Sequence, residues 1–152
     1  MTLKLFESSM QSDVDALFAE CFRALGRKYD PEGGHNDIMN IPEVYQKNGQ
    51  FWCLYDNETL VGTVAIRSLD PVKCIAELKR LYVLPTRQGE GLGGKLFDTA
   101  LQFAKEAGFK IIRADTRRDR SASRHLMIKN GFKEIPQYND NDTAELFYEK
   151  TY

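Results

Sequence analysis

The sequence predicts an α/β protein built on a mixed sheet, and three observations carry that prediction. Strand-like and helix-like runs follow one another in the order β-α-α-β-β-β-α-β-α-β-β. Three of the strand-like runs are consecutive and separated by tight-turn residues, which makes an antiparallel meander. A glycine-rich stretch, Gln88-Gly89-Glu90-Gly91-Leu92-Gly93-Gly94, then joins a strand to a helix.

Each element has its own local reason. Leu3 to Phe6 reads as a short first strand. Ser12 offers an N-cap, with Asp13 and Asp15 in the first turn, where the helix dipole favours acids. Val14, Leu17, Phe18, Cys21, Phe22 and Leu25 follow on one helical face, and Gly26 is a suitable stop. Asp30 to Gly49 is rich in turn formers and is expected to be a loop with one or two short helices. Phe51–Tyr55, Leu60–Leu69 and Cys74–Leu84 form the meander, with Asp56-Asn57-Glu58 and Asp70-Pro71 at the turns. Leu92, Leu96, Phe97, Ala100, Leu101 and Ala104 trace the next helix, and Gly108 ends it. A strand over Phe109–Ala114, a helix over Ser121–Lys129, a strand running to Ile135 and a last strand over Ala144–Tyr148 complete the chain.

Length and composition bound the possibilities. The 152 residues suit a single domain, 1–152, with enough chain to bury a core without staples. The net charge of −1 gives no overall pull toward nucleic acid or an anionic membrane, and neither is expected as a partner. Cys21, Cys53 and Cys74 are odd in number, lie in apolar contexts and lack metal-ligand spacing; buried free thiols in a reducing compartment are the expectation. The chain opens without a signal-peptide pattern and contains no membrane-length apolar run, so a soluble cytoplasmic protein is expected.

The glycine stretch is the chemical signal. Glycines at a strand-to-helix junction let main-chain N–H groups approach a ligand unobstructed, and the helix adds unpaired N–H groups and a positive dipole end. The ligand class is a phosphate or pyrophosphate. Three templates fit the residues. Gly89-x-Gly91-x-x-Gly94 matches a dinucleotide fingerprint, with Asp115 as a ribose-binding acid. Gly89-x-x-x-x-Gly94-Lys95 matches most of a P-loop, but Leu96 stands where the Mg²⁺-binding hydroxyl belongs. A dinucleotide fold also opens with its glycine loop, whereas here most strands precede it. Gln88-x-x-Gly91-x-Gly93 matches the pyrophosphate arm of acetyl-CoA binding, and this template agrees with the element order too.

With Glu77-Leu-Lys-Arg-Leu-Tyr-Val-Leu-Pro85 before that motif and Lys129-Asn130-Gly131-Phe132 after the last helix, the chain resembles the GNAT superfamily of N-acetyltransferases over essentially its whole length. The resemblance implies a sheet of about six or seven strands, splayed in the middle and flanked by about four helices. It implies acetyl-CoA in the cleft, main-chain pairing of pantetheine near Leu81, Tyr82 and Val83, and amides of Gln88, Gly89, Glu90, Gly91, Leu92, Gly93 and Gly94 on the pyrophosphate. The implied reaction is direct attack of a neutral amine on the thioester. It needs loss of a proton from the amine and a fixed donor for the oxyanion, and it needs no metal.

Individual residues follow from the resemblance. Glu77 stands where relatives often carry a general base or a water-holding carboxylate; the ordinary alternative is a surface carboxylate paired with Lys79 or Arg80. The proton-donating tyrosine of many relatives falls on Met127, which leaves Tyr138 and Tyr82 as candidate donors. The polar residue that commonly opens the last helix falls on Arg120 or Ser121. The charge run Thr116-Arg117-Arg118-Asp119-Arg120 offers bidentate donors for a phosphate or a carboxylate, or is a solvated loop. Gln137 to Asp142, Tyr29, His35 and Asn36 belong to loops that border the acceptor in relatives, and Trp52 is core or pocket wall. The expected activity is acetyl transfer to a small or amino-acid-like amine, with a homodimer left open. Protein N-terminal or lysine acetylation and a non-catalytic acyl-CoA-binding module are the alternatives.

Overall fold

In the computed structural model, which describes residues 1–152, the sheet has seven strands. They are β1 (Thr2–Leu5), β2 (Gln50–Asp56), β3 (Thr59–Asp70), β4 (Ile75–Val83), β5 (Ile111–Thr116), β6 (Lys133–Ile135) and β7 (Leu146–Thr151), in the spatial order β1-β2-β3-β4-β5-β7-β6. Every neighbouring pair is antiparallel except β4–β5, which is parallel. The helices are α1 (Gln11–Ala24), the single turn α2 (Ile41–Val44), α3 (Leu92–Glu106) and α4 (Ser121–Lys129).

The sheet has a different partner on each face. Strand side chains alternate faces, and residues paired in register share one. Ile66, Ala76, Leu78, Ile112 and Ala114 lie under Leu96, Phe97, Ala100, Leu101 and Ala104 of α3 in one core. Trp52 belongs to that core and packs edge-on against Phe103, so it is not a cleft wall. On the other face α1 covers β2 and β3, where Phe51, Cys53, Tyr55 and Ala65 meet Val14, Phe18 and Phe22. Beyond that cover, the same face carries Arg67, Glu77, Lys79, Arg113 and Asp115, placed together by the pairs Ala65↔Lys79, Arg67↔Glu77 and Glu77↔Arg113.

Two irregularities open the sheet. The parallel pairing of β4 with β5 covers only Ile75↔Ile111, Ala76↔Ile112 and Glu77↔Arg113, after which the strands part. Four residues later β4 bulges against β3. Val64 lies opposite both Arg80 and Leu81, between the pairs Ala65↔Lys79 and Thr63↔Tyr82. Arg80 has a left-handed φ of 58°, and among non-glycine residues it alone takes that conformation inside a strand. Thr63 Oγ1 donates to its carbonyl at 2.8 Å.

Several local expectations change. The helix cap is not Ser12: a 3-10 turn over Ser8–Met10 runs into α1, so the boundary falls at Met10 and Ser12 lies inside the helix. Met10 is buried, and its packing rather than a side-chain cap fixes the entry. Cys21 and Cys53 are buried free thiols, with burial lifting Cys21 to about 11 and Cys53 to about 12. Cys74 is half-buried, because it occupies a left-handed turn position with φ 57° instead of opening β4. The last strand starts later and runs further than the apolar pattern suggested, since Glu149 pairs across β5 with Arg113 and extends the ladder.

Candidate active site

A cleft of about 1010 Å³ starts where β4 and β5 separate. Leu81, Tyr82, Arg120, Ser123 and Met127 line one part of it. Arg67, Lys79, Asp115 and the segments around His35 and Asn141 line the other. The cleft has a main-chain side and a side-chain side, and they are built differently.

The main-chain side is lined by β4 as far as Tyr82, and the strand runs on from there toward the glycine loop. Leu81 is the second of the two bulge residues, and its carbonyl accepts a hydrogen bond from Arg120 Nη2 at 2.9 Å across the opening. The Arg120 guanidinium also lies 4.5 Å from the centroid of the Tyr82 ring. Tyr82 in turn packs edge-on against Phe18. The Val83 carbonyl takes the Gln88 side-chain amide at 3.3 Å. Gly89 and Gly91 have φ of 86° and 79°, and Gly91 is the residue from which α3 starts. The Lys95 N–H bonds Gly91 O at 3.2 Å, whereas the N–H groups of Leu92, Gly93 and Gly94 have no acceptor within the helix. A Cβ on Gly89 or Gly91 meets only open space. Arg87 bridges Glu90 and Asp56 and holds the Glu90 carboxyl below its ordinary range through their hydrogen bonds. The loop therefore presents donors while its own carboxylate is neutralised. Ser121 is exposed at the first residue of α4, outside the cleft, whereas Arg120 lies inside it.

The side-chain side is a network of charges. Glu77 is fully buried and receives Arg67 Nε at 2.8 Å, Tyr138 Oη at 2.6 Å and Asn139 Nδ2 at 3.0 Å. It is thus not a surface carboxylate, and its cation is Arg67 rather than Lys79 or Arg80. The reason is register: Arg67 is its cross-strand partner on β3. Tyr138 meets Glu77 as a donor; burial first, and then the Glu77 charge, push its hydroxyl well above the usual tyrosine range. Neither Glu77 nor Tyr138 lines the cleft. Arg80 grips Asp37 with two hydrogen bonds, Nε to Oδ2 at 2.9 Å and Nη2 to Oδ1 at 2.6 Å, tying the bulge to the segment after α1. Burial opposes the Asp37 charge, but the Arg80 hydrogen bonds and charge outweigh it and hold the carboxyl low.

Two further residues on this side, Asp115 and Lys79, lie outside the loops that the sequence assigns to the acceptor. Asp115 lines the cleft with a side chain 9% exposed. Its Oδ2 accepts Asn139 Nδ2 at 2.7 Å, and Lys79 Nζ is 3.7 Å from the same oxygen. The signal for them was present: Glu77-Leu78-Lys79 and Arg113-Ala114-Asp115 alternate polar and apolar on adjacent parallel strands, the mark of one wet face. His35 and Asn36 line the cleft, while Tyr29 packs on Phe18 outside it. Among the other expected loop residues, Asp140, Asn141 and Asp142 reach the cleft and Tyr138 and Asn139 turn inward to Glu77. No cluster of potential metal ligands is present. No helix is long and apolar enough to cross a membrane.

An opened sheet with a glycine loop at the end of β4 defines the architecture of an acyl-CoA-dependent acyltransferase. The model of the acetyltransferase (GNAT) family matches residues 12–132, and the chain belongs to that family. It is an N-acetyltransferase. It is 28% identical over 146 residues to an IAA acetyltransferase of Azospirillum brasilense, covering 95% of this chain and 94% of that one. An acetyltransferase structure from Streptococcus agalactiae superposes with a TM-score of 0.88 at 27% identity, covering 99% of this chain and 98% of that one. The PaiA N-acetyltransferase of Thermoplasma acidophilum, solved in complex with coenzyme A, has the same fold with a TM-score of 0.73 at 22% identity, both chains being covered completely.

Proposed function

We propose that this enzyme transfers the acetyl group of acetyl-CoA to the primary amine of a small or amino-acid-like acceptor, by direct attack on the thioester. The observation that carries the reading is the parting of β4 from β5 beyond Glu77 and Arg113, with an apolar, main-chain-lined side and a charged side meeting in one cleft. The coenzyme A complex of the Thermoplasma acidophilum relative supports the choice of cosubstrate. The unpaired amides of Leu92, Gly93 and Gly94, with those of Gln88, Gly89, Glu90 and Gly91, suit the pyrophosphate. The main chain of Leu81, Tyr82 and Val83 suits the pantetheine arm, with Arg120 at the start of α4 beside it and Ser121 outside the cleft. Arg120 already occupies the Leu81 carbonyl, so the arm competes with that guanidinium.

The chain's own residues divide the work. An N–H of the bulged strand stabilises the oxyanion that forms when the amine adds to the thioester carbonyl. Glu77 and Tyr138, sealed with Arg67 and Asn139, act together as the fixed floor on which the charged side stands. Met127, 3% exposed, packs along the cleft and cannot protonate the departing sulfur; a thiolate leaves without that help more readily than an alkoxide or amide. A small acceptor suits a cleft walled by the segments around His35 and Asn141.

The test is release of free thiol from acetyl-CoA in the presence of a panel of primary amines: free amino acids, their amides and alkyl diamines. Amine-dependent release with acetylated product in the mass spectrum is the expected outcome. Thiol release that requires a protein or peptide acceptor, with none of the small amines active, overturns the small-acceptor reading.

A further inference from the structure

Two carboxylates stand at the opening of the sheet, and they differ in what they can still do. Glu77 spends its lone pairs on Arg67, Tyr138 and Asn139 and is closed to the cleft. Asp115 lies two residues further along β5, on the same face as Glu77, just past the last β4–β5 pair. One of its oxygens, Oδ2, is anchored by Asn139 and faced by Lys79. The other, Oδ1, has no hydrogen bond within the protein, and Asp115 lines the cleft. Asn139 bridges the two acids, donating to both. One carboxylate is thereby fixed as scaffold, and the other is held in place at one oxygen and left free at the other.

We propose that Asp115, not Glu77, is the group that receives the acceptor amine's proton, with Asn139 as its positioning residue. The assignment rests on the small-amine reading above and adds the identity of the base. The neutral amine approaches with one N–H directed at Asp115 Oδ1. Its lone pair forms the bond to the thioester carbon while the carbonyl π pair moves to oxygen. The nitrogen becomes positively charged and strongly acidic as that bond forms, so a carboxylate suffices to take the proton. The oxyanion then reforms the carbonyl, the carbon–sulfur bond breaks with its pair on sulfur, and the proton held by Asp115 reaches the thiolate through water in the cleft. The products are the acetamide and the free thiol, with no net proton gained or lost.

The experiment uses the full chain and the best amine of the panel. Asp115→Asn is expected to lower kcat/KM for the amine at least about 100-fold, the span that positioned bases contribute, while coenzyme A affinity by calorimetry stays at the wild-type value. Asp115→Ala leaves room for a small carboxylate, and added formate is expected to restore turnover at least about tenfold, which a purely structural role does not allow. Asp115→Asn within about threefold of wild type, or a folded Asp115→Ala that binds coenzyme A normally and is not rescued by formate, overturns the assignment. So does a Glu77→Gln variant that keeps its melting temperature yet loses activity about 100-fold. Wild-type enzyme that releases no thiol with any small amine defeats the small-amine reading instead, whereas release that ignores Asp115 defeats only this assignment.

Discussion

The two sides of the opening between the parted strands are built from opposite materials. On the glycine-loop side the chain withholds side chains: Gly89 and Gly91 have open space where a Cβ would stand, and the first amides of α3 have no acceptor within the helix. On the other side the chain supplies a dense set of ions, with Arg67 on Glu77, Arg80 on Asp37 and Lys79 near Asp115. Main-chain donors need no rotamer to be fixed, because the helix fixes them. Charged side chains in a half-buried site need partners, and each partner must come from a different segment of the chain. One side can therefore be altered with little cost to stability, and the other cannot.

The largest effect on stability is expected from Asp37→Asn. Arg80 and Asp37 have side chains only 12% and 17% exposed, and removing one charge leaves a buried guanidinium without its anion. Such a break costs about 3 kcal/mol or more. For a chain of this length the melting temperature falls by about 6–12 °C, measurable by calorimetry. The same variant frees Arg80, whose left-handed backbone shapes the bulge at Leu81, so the KM for acetyl-CoA rises with it. A melting temperature within a degree of wild type breaks the claim that this side is held by its charges.

Gly93→Val tests the opposite side, with the opposite pattern. Gly93 is helical, and a Cβ there meets only Leu126 and Val83 at 3.9 Å. The fold accepts the Cβ, and the added branched side chain is expected to crowd a phosphate bound at the start of α3. Coenzyme A affinity is expected to fall about 100-fold, close to 3 kcal/mol, with the melting temperature unchanged. Gly91→Val is a poorer instrument, because a β-branched residue at φ 79° strains the backbone as well. Undiminished coenzyme A binding by Gly93→Val sinks the loop assignment.

The same division explains what the sequence made legible. The order of elements along the chain, the helix stops at Gly26, Gly108 and Gly131, and the glycine loop are encoded by neighbours a few residues apart, and each is found where local chemistry put it. The opening of the sheet followed from the family resemblance. The charged side joins residues far apart in the chain: Tyr138 to Glu77 across 61 positions, Arg80 to Asp37 across 43, Asn139 to Asp115 across 24. No local rule pairs such residues, so Glu77 and Tyr138 could each be picked out but not their pairing. The strand alternation around Lys79 and Asp115 would have marked the wet face; it was masked because both segments also read as ordinary strands. Ser12 failed as a cap for a different reason, since burial of Met10 moved the helix start upstream.

The smallest effect sits where the two sides meet the segment after α1. His35 Nδ1 accepts the Asp30 N–H at 2.8 Å, so its proton is on Nε2 and protonation of Nδ1 costs that bond. Partial burial first, and then the Arg80 charge, hold the imidazole below its free value of 6.5, with Asp37 and Asp30 opposing. The unfolded chain therefore binds this proton before the folded one does. The stability His35 confers is complete above pH 6.5 and is lost as pH falls from there through the lowered folded value. His35→Gln removes that titration. Over the interval below pH 6.5 the wild-type melting temperature is expected to drop slightly more steeply than that of the variant, while above it the two curves run parallel. A steeper fall in the variant, or a divergence confined to alkaline pH, reverses the sign of the argument and detaches His35 from the charged side of the cleft.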